Sequence, residues 1–149
     1  MKIQKLTSQE IDDFIELIRI FADVFEMPDL KIPGKQHLKR LIANPDFLVF
    51  VIKLNGKVIG GLTVYVIHRY YSEKPTAYIY DVGVSPEHQR KGAGKMLICH
   101  LVEYCKKNGF DDAYVEAETD DFQAVNFYKH TPYSNMLNAT HFNYNTSKF

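Results

Sequence analysis

The sequence predicts an α+β domain with a mixed β-sheet flanked by helices and a parallel strand pair at its centre. Three observations carry that reading. Two apolar runs, Phe47 to Leu54 and Lys57 to His68, are joined by Asn55-Gly56, a dipeptide suited to the type I′ turn of an antiparallel hairpin. A strand over 77–84, a helix over 92–108 and a strand over 113–118 follow, and such a unit demands a parallel pair with a right-handed crossover. Helical periodicity outside these strands supplies the flanking layers.

The elements follow in order. Ile3 to Leu6 reads as a short first strand. Thr7-Ser8-Gln9-Glu10 has capping-box spacing, and Ile11, Phe14, Ile15, Ile18, Phe21, Ala22 and Phe25 then recur at helical intervals until Met27-Pro28. Asp29 to Gly34 is a loop, and Lys35 to Ala43 a second helix. After the hairpin and a polar turn from Tyr70 to Pro75 comes the strand Ala77 to Val84. Ser85 to Lys91 is a loop. The helix behind it places Ala93, Leu97, Leu101, Val102 and Cys105 on one face and stops at Gly109. Tyr114 to Glu118 is a strand, Asp121 to His130 a helix, and Asn135 to Tyr144 one or two further strands.

Composition narrows the classes. The 149 residues suit one domain, 46% are hydrophobic and 24% charged, which is a globular balance. Eighteen basic residues against eighteen acidic ones give no net charge, which argues against a nucleic-acid or polybasic membrane partner. No apolar run approaches the ~20 residues of a transmembrane helix, and the charged start does not read as a signal peptide. Cys99 and Cys105 are too few and too widely spaced for a Cys-x-x-Cys site, and suit a reducing, cytoplasmic compartment. Six scattered histidines lack metal-ligand spacing, so no metal is expected.

The chemistry is concentrated between Asp81 and Lys95. Gly83 stands alone in a strand rich in Val, Ile and Tyr, which marks a bulge, a close backbone approach, or packing beneath an aromatic ring. Gln89, Arg90, Lys91, Gly92, Ala93, Gly94 and Lys95 open a helix with two glycines and three cations. Free N–H groups there suit a phosphate; the plainer alternative is a solvated basic loop. A Walker loop fails because Met96 follows Lys95, and the dinucleotide fingerprint fails because its glycines should follow the strand directly.

Gln89-x-x-Gly92-x-Gly94 resembles the pyrophosphate loop of the GCN5-related N-acetyltransferases, [Gln/Arg]-x-x-Gly-x-[Gly/Ala]. Val82-Gly83-Val84 resembles the family strand whose backbone holds the pantetheine arm of acetyl-CoA. Asp121-Phe122-Gln123-Ala124-Val125-Asn126-Phe127-Tyr128 is similar to its Asn-x-x-Ala-x-x-Phe-Tyr segment, with Asp121 replacing Asn at a position that the resemblance assigns to cofactor binding. Ile79 to Ser85, Glu87-His88, Tyr114 to Glu118, Ala124-Val125 and His141-Phe142 further resemble the gentamicin-type aminoglycoside 3-N-acetyltransferases, while Thr131-Pro132-Tyr133 departs from them at the acceptor side.

The resemblance implies a splayed sheet and direct acetyl transfer from acetyl-CoA to a small-molecule amine, an aminoglycoside-like polyamine first and another small amine or a peptide amine second. It also implies an antibiotic-resistance role, Tyr128 as proton donor to the leaving thiolate, and a homodimer, since C-terminal strands of the family often pair between subunits. A non-catalytic CoA-binding module is the contrasting reading.

The acceptor chemistry can be read from the residues themselves. An amine of pKa ~10.4 must lose a proton before it attacks, at a cost of about 4.6 kcal/mol at pH 7. A carboxylate can take that proton. Asp81 is unusual as an acid within a strand, and either handles the acceptor amine or serves a hydrogen-bonded structural role. Asp111, Asp112, Glu116, Glu118, Asp120 and Asp121 put six acids into eleven residues. Such a run is either a solvated face or, with Glu116 and Glu118 on one side of a strand, part of a cationic-acceptor pocket. Tyr128 is either core or catalytic. Backbone N–H groups near Val82 are candidates for polarising a thioester carbonyl.

Overall fold

The computed structural model describes residues 1–148 and contains two compact units, Met1–Glu116 and a second from Ala117 onward. The first holds β1 (Lys2–Lys5), α1 (Ile11–Val24), α2 (Lys35–Ala43), β2 (Phe47–Leu54), β3 (Lys57–Ile67), β4 (Thr76–Val84), α3 (Ala93–Lys107) and β5 (Asp112–Val115). The strands form one sheet in the order β1-β2-β3-β4-β5, antiparallel throughout except for the parallel β4–β5 pair.

Local chemistry sets the boundaries. Thr7 and Glu10 make both halves of the capping box. Asn55 and Gly56 take φ of 52° and 79°, as the I′ hairpin requires. β2 is buried on both faces through its first six residues, so it reads as a continuous apolar run. Phe47, Val49 and Val51 join Phe14, Leu17 and Phe21 in a core beneath α1 and α2. The opposite face receives α3, where the Phe50 ring meets His100 and Tyr104 edge-on at 5.6 Å and 5.3 Å.

Helix α1 lies on a glycine pair. Gly61 of β3 and Gly83 of β4 are cross-strand neighbours. A Cβ on Gly61 would overlap the Phe50 carbonyl oxygen and meet Leu17 at 2.8 Å, and one on Gly83 would meet the Phe21 ring at 3.0 Å. Gly83 is therefore the glycine packed under an aromatic, and sits in regular ladder. The bulge falls three residues earlier, where Thr63 opposes Asp81 and Val64 opposes Ile79, leaving Tyr80 as the extra residue.

Three further expectations are corrected. The parallel pair lies at one end of the sheet, because no strand forms over 135–144 to extend it. That tail carries Asn135, Asn138 and Asn143 behind Pro132, residues that favour turns over ladders. β5 ends at Val115, so Glu116 and Glu118 lie beyond the strand. There the chain enters a turn closed by Asp121 N–H to the Glu118 carbonyl at 3.0 Å. The second unit contains α4 (Phe122–Lys129), capped by the Asp121 carboxylate, which accepts from the Ala124 N–H at 3.1 Å. Among the described residues no helix is long and apolar enough to cross a membrane.

The Gly61 contact involves backbone, whereas the Gly83 contact involves a ring edge that can shift. Gly61→Ala is expected to lower stability by about 1–3 kcal/mol, and Gly83→Ala by less, in urea unfolding. Equal stability of Gly61→Ala and wild type would mean that α1 does not need this close approach.

Candidate active site

β5 pairs with β4 only from Thr76↔Asp112 to Ile79↔Val115. β4 continues to Val84, so the edge of Tyr80–Val84 that would face β5 has no strand partner among the described residues. The backbone groups there that point away from β3, apart from the Val84 carbonyl taken by Gln89, are offered to an extended ligand, as at any sheet edge. The divergence begins at the Tyr80 bulge.

The bulge also changes which side chains share a face. Before it, Tyr78 pairs with Tyr65 and Tyr114; after it, Asp81 pairs with Thr63 and Gly83 with Gly61. The extra residue shifts the alternation by one, so Tyr78, Asp81 and Gly83 all project to the α1 side. Asp81 is half-buried there, and loss of hydration pushes its carboxyl above the ordinary range. A raised pKa makes it a better proton acceptor.

The loop after β4 is held closely. Ser85 N–H donates to the Ile59 carbonyl at 2.8 Å, and Ser85 Oγ lies 2.8 Å from His88 Nδ1. Gln89 Nε2 donates to the Val84 carbonyl at 2.9 Å, folding the loop back onto the strand end. Arg90 and Gly92 take φ of 61° and 85°, and α3 begins at Ala93. A Cβ on Gly92 would meet nothing within 4 Å, so the space over this helix start is open. The first N–H groups of an α-helix have no intrahelical partner, and no acid occupies the first turn of α3. Arg90, Lys91 and Lys95 are exposed, and none is in an ion pair among the described residues.

The acid run divides between structural and available groups. Asp111 accepts from Arg69 at 2.7 Å and Ser72 at 2.6 Å, tying the β3–β4 turn to the start of β5. Asp112 is hydrogen-bonded to Thr76 Oγ1, and Asp121 caps α4. Glu116 lies near the Tyr78 hydroxyl, whose pKa is pushed up to about 12 by burial and then by that carboxylate. Glu118 and Asp120 are exposed in the second unit, where Tyr128 lies on α4 with its ring 4.9 Å from that of Phe127. Among the described residues no three His, Cys, Asp or Glu side chains gather as metal ligands. Cys105 is buried, which raises its thiol to about 11 and leaves it protonated at neutral pH.

The tyrosines beside Asp81 carry no motif in the sequence. Tyr65, Tyr78, Tyr80 and Tyr114 lie in ring contact on the α1 side of the sheet. The spacing of Tyr78 and Tyr80 hinted at a shared face, but only the register brings in Tyr65 and Tyr114.

Residues 14–131 match the model of the Acetyltransferase (GNAT) family. An aminoglycoside acetyltransferase from an uncultured soil metagenomic sample, solved in complex with sisomicin, is 42% identical over 97% of this chain and 95% of its own, with a TM-score of 0.95. Its complex with trehalose gives a TM-score of 0.94. An uncharacterized N-acetyltransferase of Methanocaldococcus jannaschii is 28% identical over 85% of this chain and 58% of its own length. The ribosomal protein bS18-alanine N-acetyltransferase of Escherichia coli is 25% identical over 56% of this chain and 52% of its own. The matched regions thus span little more than half the length of these two curated relatives.

Burial of Asp81 has a thermodynamic consequence. A carboxyl harder to ionise in the folded protein than in the unfolded chain costs stability above its folded pKa. That cost disappears as pH falls below the unfolded value. Asp81→Asn is therefore expected to melt above wild type at pH 7, with the gap closing towards pH 4. A variant that melts lower at pH 7 would show that a favourable partner, and not burial, dominates at Asp81.

Proposed function

The chain belongs to the GNAT acetyltransferase family, and on that premise we propose that it transfers acetyl from acetyl-CoA directly to a primary amine of an aminoglycoside-like polyamine. The observation that carries the proposal is the sequence of an unpartnered β4 edge, a pinned loop and an open, cationic helix start. The edge offers backbone groups to an amide-bearing arm, and the helix start offers N–H groups and positive charge to a diphosphate. Acetyl-CoA, when bound, supplies a thioester carbonyl to be attacked by the amine.

The chain's own groups have distinct tasks in this reading. Backbone atoms of Val82, Gly83 and Val84 hold the pantetheine arm, and an N–H near Val82 polarises the thioester carbonyl. Gln89 secures the loop, while the Gly92, Ala93, Gly94 and Lys95 amides with the Arg90, Lys91 and Lys95 side chains hold the pyrophosphate. Asp81, made more basic by burial, takes the proton of the acceptor amine. Glu116 and Glu118 hold its other charges. Tyr128 returns a proton to the departing sulfur, and the Asp121 cap sets the start of the helix that carries it. The protonated, buried Cys105 is a poor nucleophile, which favours direct transfer over an acyl-cysteine.

The 42% identical relative solved with sisomicin supports an aminoglycoside acceptor, and the resemblance in the motifs favours its 3-amino group. Similarity to the bS18-alanine enzyme supports a peptide amine as the second reading. We also propose a homodimer, because Met136, Leu137 and Phe142 of the tail are exposed apolar side chains.

Gly92→Asp introduces an anion and a side chain at φ 85°, and is expected to sharply weaken acetyl-CoA binding by calorimetry. Unchanged affinity would remove the loop from the cofactor site. Tyr128→Phe is expected to lower kcat by roughly 10²–10⁴-fold with little change in acetyl-CoA affinity. CoA release measured across an amine panel reads both the acceptor class and this loss. Wild-type turnover by the variant from pH 6 to 9 would make Tyr128 structural, and CoA binding without turnover of any amine would favour the non-catalytic module.

A further inference from the structure

The α1 side of the sheet carries a row of tyrosines in ring contact with one another. Phe47, under α1, touches Tyr65 at 5.1 Å between centroids, and Tyr65 touches Tyr80 at 5.4 Å. Tyr80 touches Tyr78 at 5.9 Å, and Tyr78 stacks on Tyr114 at 4.8 Å. The row thus begins in the core and runs into the open. Tyr80 is 57% exposed, Tyr114 41% and Tyr65 39%. The Tyr80 ring stands at 89° to Tyr65 and 88° to Tyr78, so the group presents aromatic faces in two directions.

Carboxylates flank the row. Asp81 follows Tyr80 on the same side and raises the Tyr65 pKa, after burial and Tyr80. Glu116 lies near the Tyr78 hydroxyl at the other end and raises its pKa, after burial. Neither acid is in an ion pair among the described residues. Electron-rich faces between two anions complement a cation with an apolar body. A saturated ring bearing ammonium groups can lay the C–H groups of one face on tyrosine while its charges meet the acids. A linear polyamine meets the acids equally well, but has no rigid ring face to lay on the aromatic row.

We propose that Tyr65, Tyr78, Tyr80 and Tyr114 form the acceptor platform, and that they select ring-bearing polyamines, the amino-sugar class, over linear ones. The proposal rests on the acetyl-transfer reading for its chemistry and deepens it by assigning specificity to the row. The bulge is part of the device, since without the extra residue the tyrosines and Asp81 would lie on opposite faces.

The protein has no tryptophan, so its intrinsic fluorescence reports directly on tyrosine. Titration with sisomicin is expected to give a saturable fluorescence change, and spermidine a much weaker one. Tyr80→Leu, exposed and therefore tolerated by the fold, is expected to raise the sisomicin KM by roughly 2- to 30-fold with little change in kcat. It should also lower the kcat/KM preference for sisomicin over spermidine. Tyr80→Phe, which keeps the ring, should retain that preference. No saturable change with wild type, or an unaltered preference in Tyr80→Leu, would overturn the platform. A Tyr80→Leu variant whose molecular mass in solution differs from wild type would overturn it in favour of a subunit interface. Sisomicin binding that depends on Tyr80, without any acetyl transfer, would sustain the platform and defeat the catalytic reading.

Discussion

Helix α1 can approach the sheet only because neither member of the Gly61–Gly83 pair has a side chain. Leu17 is fully buried and Phe21 nearly so in the space those two residues leave. This close seating closes the core over β2 and β3 and presses on β4 one residue before its end. The loop that follows β4 starts from a strand end gripped by α1 on one side, and by the hydrogen bond from the Ser85 N–H to the Ile59 carbonyl of β3 on the other. Precision at the proposed diphosphate site thus begins with packing some distance from any phosphate.

A single inserted residue does two jobs. At Tyr80 the β4 ladder gains one residue against β3, and there too β5 leaves β4. The first effect reverses the facing pattern, bringing Tyr78 and Asp81 to one side. The second frees the backbone edge of Tyr80–Val84. Bulges re-aim side chains and end pairing, and here both outcomes serve the same small region. An acid in a strand is usually disfavoured, and burial of Asp81 makes its charged form costlier still. That unfavourable placement suits the proton-accepting role proposed for Asp81.

The six acids after α3 show how one composition feature separates into several roles. Asp111 gathers Arg69 and Ser72 to fasten a turn, Asp112 meets Thr76, and Asp121 caps a helix. Glu116 lies near the Tyr78 hydroxyl, and Glu118 lies past the strand on the turn. A charge run read as one patch overstates the available carboxylate. Half of it is engaged in fastening the chain.

Hydrophobic periodicity, the Asn55-Gly56 turn, the capping box and the strand–helix–strand unit made nearly every element and the mixed sheet legible in the sequence, because these are local signals. The glycine and cation spacing from Gln89 to Lys95 marked the loop for the same reason. The tail strands failed because a strand needs a neighbour, which no local pattern supplies, and β5 ended early where turn-forming acids took over. The Gly83 reading turned on which atoms stand above it, and only packing placed Phe21 there. Register is likewise non-local: whether Tyr80 or Gly83 bulges depends on how β3 aligns with β4. The sequence by itself determined most of the elements, though not the tail or the end of β5, and which loop carries positive charge. Tertiary structure alone decided which side chains share a face, since one extra residue in a ladder reverses every facing after it.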